Sequence, residues 1–324
     1  MSTPLGKFDK QLCNALQMPL PICARPFRKI AKTLGCEEQK VLQEIRKLLD
    51  KKVIRRIGAV VEHCAIGSVG TLVTAHVEDD NLVAVIEAVN SLQAVSHNYL
   101  RKHYYNIWFT LQSESQKKID LTLSKLSSQL GTDFHSLPVE RVFKLDARFD
   151  AQSEGEFLLE NVKRRILGAK AIKLNKTQER ILTALQEGIS VVSEPFNALS
   201  EGETSVKEVL KVIRRLIAGG VIRRLGAVVD HRKLGFTANV LFACRVDGDK
   251  IIEAGQQLAG LRIVSHCYQR RPFEGWPYNL FAMMHGTSLG EIQRAIDSFL
   301  ESEKIDAFAL LPTVRELKKQ PARF

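Results

Sequence analysis

Apolar residues recur at helical and strand periods along this chain, in an order that appears twice. Phe8, Leu12 and Leu16 stand at i, i+4 and i+8, which predicts a helix with one face toward a core. Pro19 and Pro21 end it. Pro26 opens a second helix with Phe27, Ile30, Ala31 and Leu34 inward, and Gly35 stops it. Residues 37–50 predict a third helix, striped by Val41, Ile45, Leu48 and Leu49, with Glu37 and Glu38 near its positive N-terminus. The next stretch reads as a β-ribbon, because Ile54, Ile57, Val60 and Val61 favour strand and Gly58 allows a tight bend. Strands are then expected over 71–77, 95–101, 104–111 and 139–145, with helices over 82–92 and 116–130. That is the β-α-β-β-α-β order of a ferredoxin-like domain.

The same order returns in the second half. Helices are expected near 178–186, 196–199 and 205–218, a ribbon at 221–230, and strand or helix at 237–246, 250–259, 262–270, 278–285, 289–300 and 306–315. The middle helix looks short, since Glu201-Gly202-Glu203 interrupts it. Side chains carry the repeat too. Val53-Ile-Arg-Arg-Ile-Gly-Ala-Val-Val-Glu-His63 and Val221-Ile-Arg-Arg-Leu-Gly-Ala-Val-Val-Asp-His231 agree at nine of eleven positions. Ser96-His97-Asn98-Tyr99-Leu100-Arg101 returns as Ser265-His266-Cys267-Tyr268-Gln269-Arg270, and Leu137-Pro138 as Leu311-Pro312. The offset grows from 168 at His63/His231 to 173 at Tyr105/Tyr278, mostly where the second copy inserts Pro272–Gly275. A period this long means duplicated domains. The expected fold class is α+β: a tandem duplication of a winged helix-turn-helix plus a ferredoxin-like domain. The domains span 1–66 and 67–149, then a linker at 150–174, then 175–234 and 235–324. The linker opens acidic, turns basic at Lys163-Arg164-Arg165, and is expected to form a helix across both halves.

Composition narrows the setting. With 45% hydrophobic and 26% charged residues the chain is an ordinary globular one, and no apolar run suits a membrane span. No signal peptide is read in residues 1–10, and the six cysteines show neither a CxxC pair nor metal-type spacing, so free thiols in a reducing cytoplasm are expected. A net charge of +11 predicts an anionic partner, either nucleic acid or a small molecule rich in carboxylates.

Alternation along a strand puts His97, Tyr99 and Arg101 on one face, and His266, Tyr268 and Arg270 on one face. Such a row is costly to bury without partners, and finding it twice points to a polar surface or pocket. The second copy adds Arg271, Trp276, Tyr278 and His285; the first adds Lys102, His103 and Tyr104. Arginine forks grip carboxylates and aromatic rings suit a flat ligand. Arg55/Arg56 and Arg223/Arg224 leave three roles open: phosphate contacts on a wing, interface pairing with acids, or a ligand pocket. His63 and His231 read as structural, and His76 and His135 as surface residues. A DNA-binding role needs base readers on the third helix. Its outer face offers Glu37, Glu38, Gln39, Lys40, Gln43, Glu44 and Lys47, and the second copy offers Glu203, Lys207, Glu208, Lys211 and Arg214. Both faces mix charges, which suits phosphate poorly.

A winged helix-turn-helix followed by a ferredoxin-like domain resembles the Lrp/AsnC family. The Val-Ile-Arg-Arg, Ser-His-Cys-Tyr-Gln-Arg-Arg and Trp-Pro-Tyr-Asn-Leu-Phe motifs narrow the resemblance to the siroheme decarboxylases, with two subunits joined as in the fused NirD–NirL type. The resemblance implies loss of CO2 from the C12 and C18 acetates of siroheme, giving 12,18-didecarboxysiroheme on a route to haem d1 or haem. It implies an iron tetrapyrrole as substrate, no further cofactor, no DNA partner and an internal pseudo-dimer, with pairing of whole chains left open. His266, Tyr268, Arg270 and His97 are then the expected catalytic residues. Arg271, Trp276, Tyr278, Tyr99, Arg101, Tyr105, Arg223 and Arg224 are expected to bind substrate, with Trp276 packing on the ring. His266 or His97 is the candidate axial ligand of the substrate iron. The alternative is an Lrp/AsnC-like DNA-binding regulator that senses haem.

Overall fold

The computed structural model describes residues 5–152, 171–202 and 204–320, so most of the expected linker helix and Glu203 lie outside the described residues. The chain divides into two compact units, residues 1–66 with 148–235, and residues 67–147 with 236–324. Each unit therefore takes one part from each half.

The first unit contains α1 (Lys7–Gln17), α2 (Pro26–Thr33), α3 (Glu38–Asp50) and β1 (Ile54–Val61). Their counterparts in the second half are α6 (Lys176–Glu187), α7 (Val206–Ala218) and β6 (Ile222–Val229). The expected stripes are buried at Leu12, Leu16, Phe27, Ile30, Val41, Ile45 and Leu48. Leu42 is buried as well, while Leu49 is half-buried. The middle helix of the second half is reduced to a 3₁₀ turn at Asn197–Leu199.

The ribbon expectation needs correction. Neither copy folds on itself into a hairpin wing; β1 pairs antiparallel with β6, and Gly58 lies opposite Gly226. These glycines permit close approach to helix ends, not a bend. A Cβ on Gly58 would stand 2.5 Å from the Leu185 carbonyl oxygen, and one on Gly226 would stand 2.8 Å from those of Leu16 and Met18. Backbone cannot give way as a flexible side chain can. Gly226→Ala is therefore expected to destabilise by about 1–3 kcal/mol. A urea midpoint equal to that of the parent chain would contradict this.

The second unit contains β2 (Val69–Ala75), α4 (Asp79–Ser91), β3 (Val95–Arg101), β4 (Ile107–Ser113), α5 (Gln116–Leu130) and β5 (Phe134–Leu145). The second half adds β7 (Ala238–Cys244), α8 (Ile251–Gly260), β8 (Val264–Arg270), β9 (Leu280–Gly286), α9 (Leu289–Glu303) and β10 (Phe308–Lys319). The strands close into one barrel in the order β10-β3-β4-β2-β5-β8-β9-β7. Closure leaves no exposed sheet edge.

The last strand of each half explains the closure. β5 pairs with β2 over 134–138, then with β8 over 139–145. β10 pairs with β7 over 308–312, then with β3 over 313–319. Pro138 and Pro312 stand where the partner changes. Proline lacks an N–H, so it fits a break in the ladder better than its interior. This crossing also makes β5 longer than the expected 139–145. The crossed segments interlock with the other half: Phe143 packs its ring where a Cβ on Gly255 of α8 would stand, 2.3 Å away. Lys318 Nζ donates to the Asn90 and Leu92 carbonyls at the end of α4, 2.7 Å each, which suits a cation at a helix C-terminus.

Helices cover the outer barrel face with two apolar cores, one around Val73, Phe109 and Leu123 and one around Phe242, Met284 and Ile296. A third core, including Trp108, Leu137, Leu241, Trp276, Phe281 and Leu311, combines residues from both halves on the opposite sheet face, inside the barrel. Among the described residues no helix is long and apolar enough to cross a membrane.

Candidate active site in the barrel

β3 and β8 are four antiparallel steps apart in the barrel order, so they run in the same direction. His97 and His266 therefore share one end of the barrel, and Arg101 and Arg270 lie toward the other. Cys267 belongs to the core on the helix side. Its neighbours His266 and Tyr268 take the opposite, inner face, as alternation requires. Each strand builds a column. The His97 and Tyr99 rings are 6.3 Å apart and the His266 and Tyr268 rings 6.2 Å apart, both roughly parallel. The Arg101 guanidinium lies 5.0 Å from the centre of the Tyr99 ring, and that of Arg270 4.8 Å from the Tyr268 ring. The same-face reading of the two triplets thus corresponds to two His–Tyr–Arg columns inside one barrel.

The depth of the arginines changes their part. Arg101 is 4% exposed and Arg270 7%. Arg101 donates to the Leu311 carbonyl at 2.9 Å and to Thr313 Oγ1 at 3.0 Å, and Arg270 donates to the Leu137 carbonyl at 2.8 Å. Neither meets a carboxylate among the described residues. Burial pushes both guanidinium groups down to about 10, which leaves them charged at neutral pH. Buried so deep, they sit behind the tyrosines instead of presenting a fork at the barrel end. His97, Tyr99, His266 and Tyr268 are only half-buried.

A β-bulge precedes each column, between Val95 and His97 and between Val264 and His266. It breaks strict alternation and brings a serine beside each histidine. Ser96 Oγ is 2.9 Å from His97 Nδ1, and Ser265 Oγ is 2.7 Å from His266 Nδ1. The repeated Ser-His dipeptide was the sequence signal for this pair. Asn239 and Thr313 come from other strands and carry no local signal, yet they join the second column. His285 Nε2 is 3.1 Å from Ser265 Oγ, and Asn239 Nδ2 is 3.2 Å from His285 Nδ1.

The remaining expected site residues lie elsewhere. Residues 271–279 link β8 to β9 at the arginine end. There Trp276 is 2% exposed and packs within 5.6 Å of the Trp108, Tyr105 and Tyr278 rings, so it fills the barrel interior and has no face to offer a macrocycle. Arg271 is exposed and pairs with Glu140 at 3.2 Å. Tyr278 donates to the Phe308 carbonyl, and burial raises the pKa of Tyr105. His135, expected at the surface, stacks on Phe273 at 4.2 Å, and burial lowers its pKa.

Arg223 and Arg224 belong to the first unit. Arg223 faces Glu62 at 3.9 Å, and Arg224 donates to the Gln17 and Ala227 carbonyls at 2.8 and 2.9 Å. Arg55 likewise pairs with Asp230 at 3.1 Å. Arg55 and Arg223 thus each meet an acid of the other half, as the interface reading has it, while Arg224 and Arg56 donate to backbone carbonyls. Burial, with Arg223 adding to it, pushes His63 down to about 4. On the third helices, Arg46 donates to the Val191 carbonyl and Arg214 to that of Ile22, each 2.7 Å. Each arginine thus ties its helix to the other half's helix-turn-helix. Among the described residues no group of three metal-ligating side chains occurs.

The AsnC-like ligand binding domain family matches residues 65–144 and 233–318. The siroheme decarboxylase NirDL-like HTH domain family matches residues 9–55 and 178–223. The siroheme decarboxylase of Hydrogenobacter thermophilus is 34% identical over 317 residues, covering 97% of this chain and 93% of that protein. The siroheme decarboxylase alpha subunit of Desulfovibrio desulfuricans is 38% identical over 151 residues, 46% of this chain and 87% of its own length. A crystal structure of the siroheme decarboxylase NirDL in complex with an iron-uroporphyrin III analogue superposes with a TM-score of 0.72 at 30% identity, covering 98% of this chain and 94% of that one.

Proposed function

We propose that this chain, which belongs to the siroheme decarboxylase family, removes CO2 from the acetate side chains at C12 and C18 of siroheme, acting as a cytoplasmic carbon–carbon lyase. The observation that carries this reading is the pair of His–Tyr–Arg columns inside one barrel. The substrate carries eight carboxylates, and the net charge of +11 complements it. In the reaction the bond between the acetate CH2 and its carboxylate carbon breaks. The electron pair spreads into the conjugated macrocycle, CO2 departs, and a proton converts CH2 to CH3. The protein's tasks are to hold the macrocycle, keep water from the reacting carboxylate and supply that proton.

His266 and His97 suit the proton step, because imidazole exchanges protons near neutral pH. Tyr268 and Tyr99 give the histidines a fixed aromatic support. Arg270 and Arg101 act as positioning residues that hold the tyrosine rings from behind. Arg271, Trp276, Tyr278 and Tyr105 close the far end of the barrel. The test is anaerobic incubation of the purified chain with siroheme, followed by mass spectrometry and NMR of the product. Loss of two CO2 with new methyl groups at C12 and C18 is expected. An unchanged tetrapyrrole, together with salt-dependent retention of DNA, would support the regulator instead.

A further inference from the structure

We propose that Ser265, His285 and Asn239 are positioning residues that lock His266 as its Nδ1–H tautomer, leaving Nε2 to take up and release the catalytic proton. The catalytic half of this statement rests on the decarboxylase reading; the tautomer half does not.

The hydrogens around Ser265 can be placed in one way. Ser265 is fully buried, and its Oγ has three neighbours within hydrogen-bond distance: the Met283 carbonyl at 3.1 Å, His285 Nε2 at 3.1 Å and His266 Nδ1 at 2.7 Å. A hydroxyl has one proton to give and two lone pairs to receive. The Met283 carbonyl can only accept, so the hydroxyl proton goes there. Both imidazole nitrogens must then donate to Ser265. No other assignment satisfies all three contacts, and an unmet contact is costly at this depth.

The outer links agree with this sense. Arg101 Nη1 can only donate, so Thr313 Oγ1 accepts from it and sends its own proton to Asn239 Oδ1, 2.5 Å away. That contact turns the Asn239 amide nitrogen toward His285 Nδ1, at 3.2 Å. The amide nitrogen is a donor, so His285 Nδ1 carries a lone pair and its proton sits on Nε2, as Ser265 requires. Protonating His285 would break the bond from Asn239. His285 is thereby kept neutral, and the added proton of the pair goes to His266. Asn239 is 7% exposed and His285 5% exposed, which keeps water from replacing these contacts.

Among the described residues the first half does not repeat this wiring. In the strand register Gly70 pairs with Gln112 where Asn239 pairs with His285. Val139 follows Pro138 as Thr313 follows Pro312. Ser96 Oγ meets His97 Nδ1 and Thr110 Oγ1, at 2.9 and 2.7 Å, and either hydroxyl can be the donor. Neither of these two hydroxyl contacts imposes a tautomer on His97. The two columns share a sequence motif and differ in the contacts made by the serine beside the histidine. In the reaction, protonated His266 gives its Nε2 proton to the CH2 carbanion left by CO2, and the neutral ring keeps Nδ1–H on Ser265.

The test uses the full chain with 15N-labelled histidine, first without substrate. The 15N shifts of neutral His266 should report the Nδ1–H form, and those of His285 the Nε2–H form. In Ser265→Ala the His266 signature should move toward Nε2–H, and in Ser265→Thr it should return. Turnover of siroheme should fall about tenfold or more in Ser265→Ala and in His285→Gln, at nearly unchanged KM, because a mis-set imidazole proton impairs chemistry more than binding. An Nε2–H signature for His266 in the parent chain would overturn the proposal, as would one unchanged by Ser265→Ala. A parent chain that shows the expected tautomers yet leaves siroheme intact would overturn the decarboxylase reading alone.

Discussion

His266→Ala is expected to lower siroheme turnover by about 10²- to 10⁴-fold, the range typical for loss of a positioned proton donor. The imidazole is half-buried at one end of the barrel, backed by the Tyr268 ring at 6.2 Å and tied through Nδ1 to Ser265. Alanine removes the donor and leaves Ser265 buried with a contact missing, so His266→Asn belongs beside it as a variant that still hydrogen-bonds. His135→Ala is the control, since His135 stacks on Phe273 at the far end of the barrel. Stopped-time mass spectrometry of the tetrapyrrole reads all three. Equal rates for His266→Ala and His135→Ala would remove His266 from the mechanism. His97→Ala should be the milder of the two histidine variants, because Ser96 does not fix its proton pattern.

Arg270→Met should separate activity from stability. The guanidinium is charged, nearly inaccessible and paired with no acid among the described residues; burial has already pushed it down to about 10. Methionine fills similar space without a charge to desolvate. That gain is offset by the lost bond to the Leu137 carbonyl and by the lost contact with the Tyr268 ring, itself worth about 1–2 kcal/mol when desolvated. Unfolding free energy is therefore expected to stay within about 1 kcal/mol of the parent, or to rise. Turnover is expected to fall by roughly tenfold to a hundredfold, since 1.4 kcal/mol of lost positioning is a factor of ten. Breaking a structural ion pair behaves differently and destabilises by about 3–5 kcal/mol. A loss of that size in urea unfolding, with turnover unchanged, would show that Arg270 serves the fold and not the site.

Local pattern foretells some features of this molecule and not others. Helical stripes and the Ser-His-x-Tyr-x-Arg rows are local, so period alone placed His266, Tyr268 and Arg270 on one face. Residues 53–63 were harder. The same apolar alternation serves a strand in a hairpin and a strand paired with a distant copy, and only the partner decides. Gly58 gives the same ambiguity, since a turn and a close backbone approach both exclude a side chain. The depth of the arginines was hidden for a related reason. Strand parity says which face a residue takes, but closure by β5 and β10, which swap partners at Pro138 and Pro312, turns that face into an interior. Trp276 followed the same rule: an aromatic insertion reads as a ligand platform until the barrel end it fills is in view. Asn239 and Thr313 were out of reach, because their meaning lies in cross-strand contacts with His285 and Arg101.

A crystal structure of the chain with siroheme, grown without oxygen, tests the assignment of the site most directly. The macrocycle is expected at the barrel end that carries His97 and His266, with His266 Nε2 closer to an acetate CH2 carbon than to the iron. A macrocycle seated away from both histidines, or His266 bound to the iron with no acetate in reach, would contradict it.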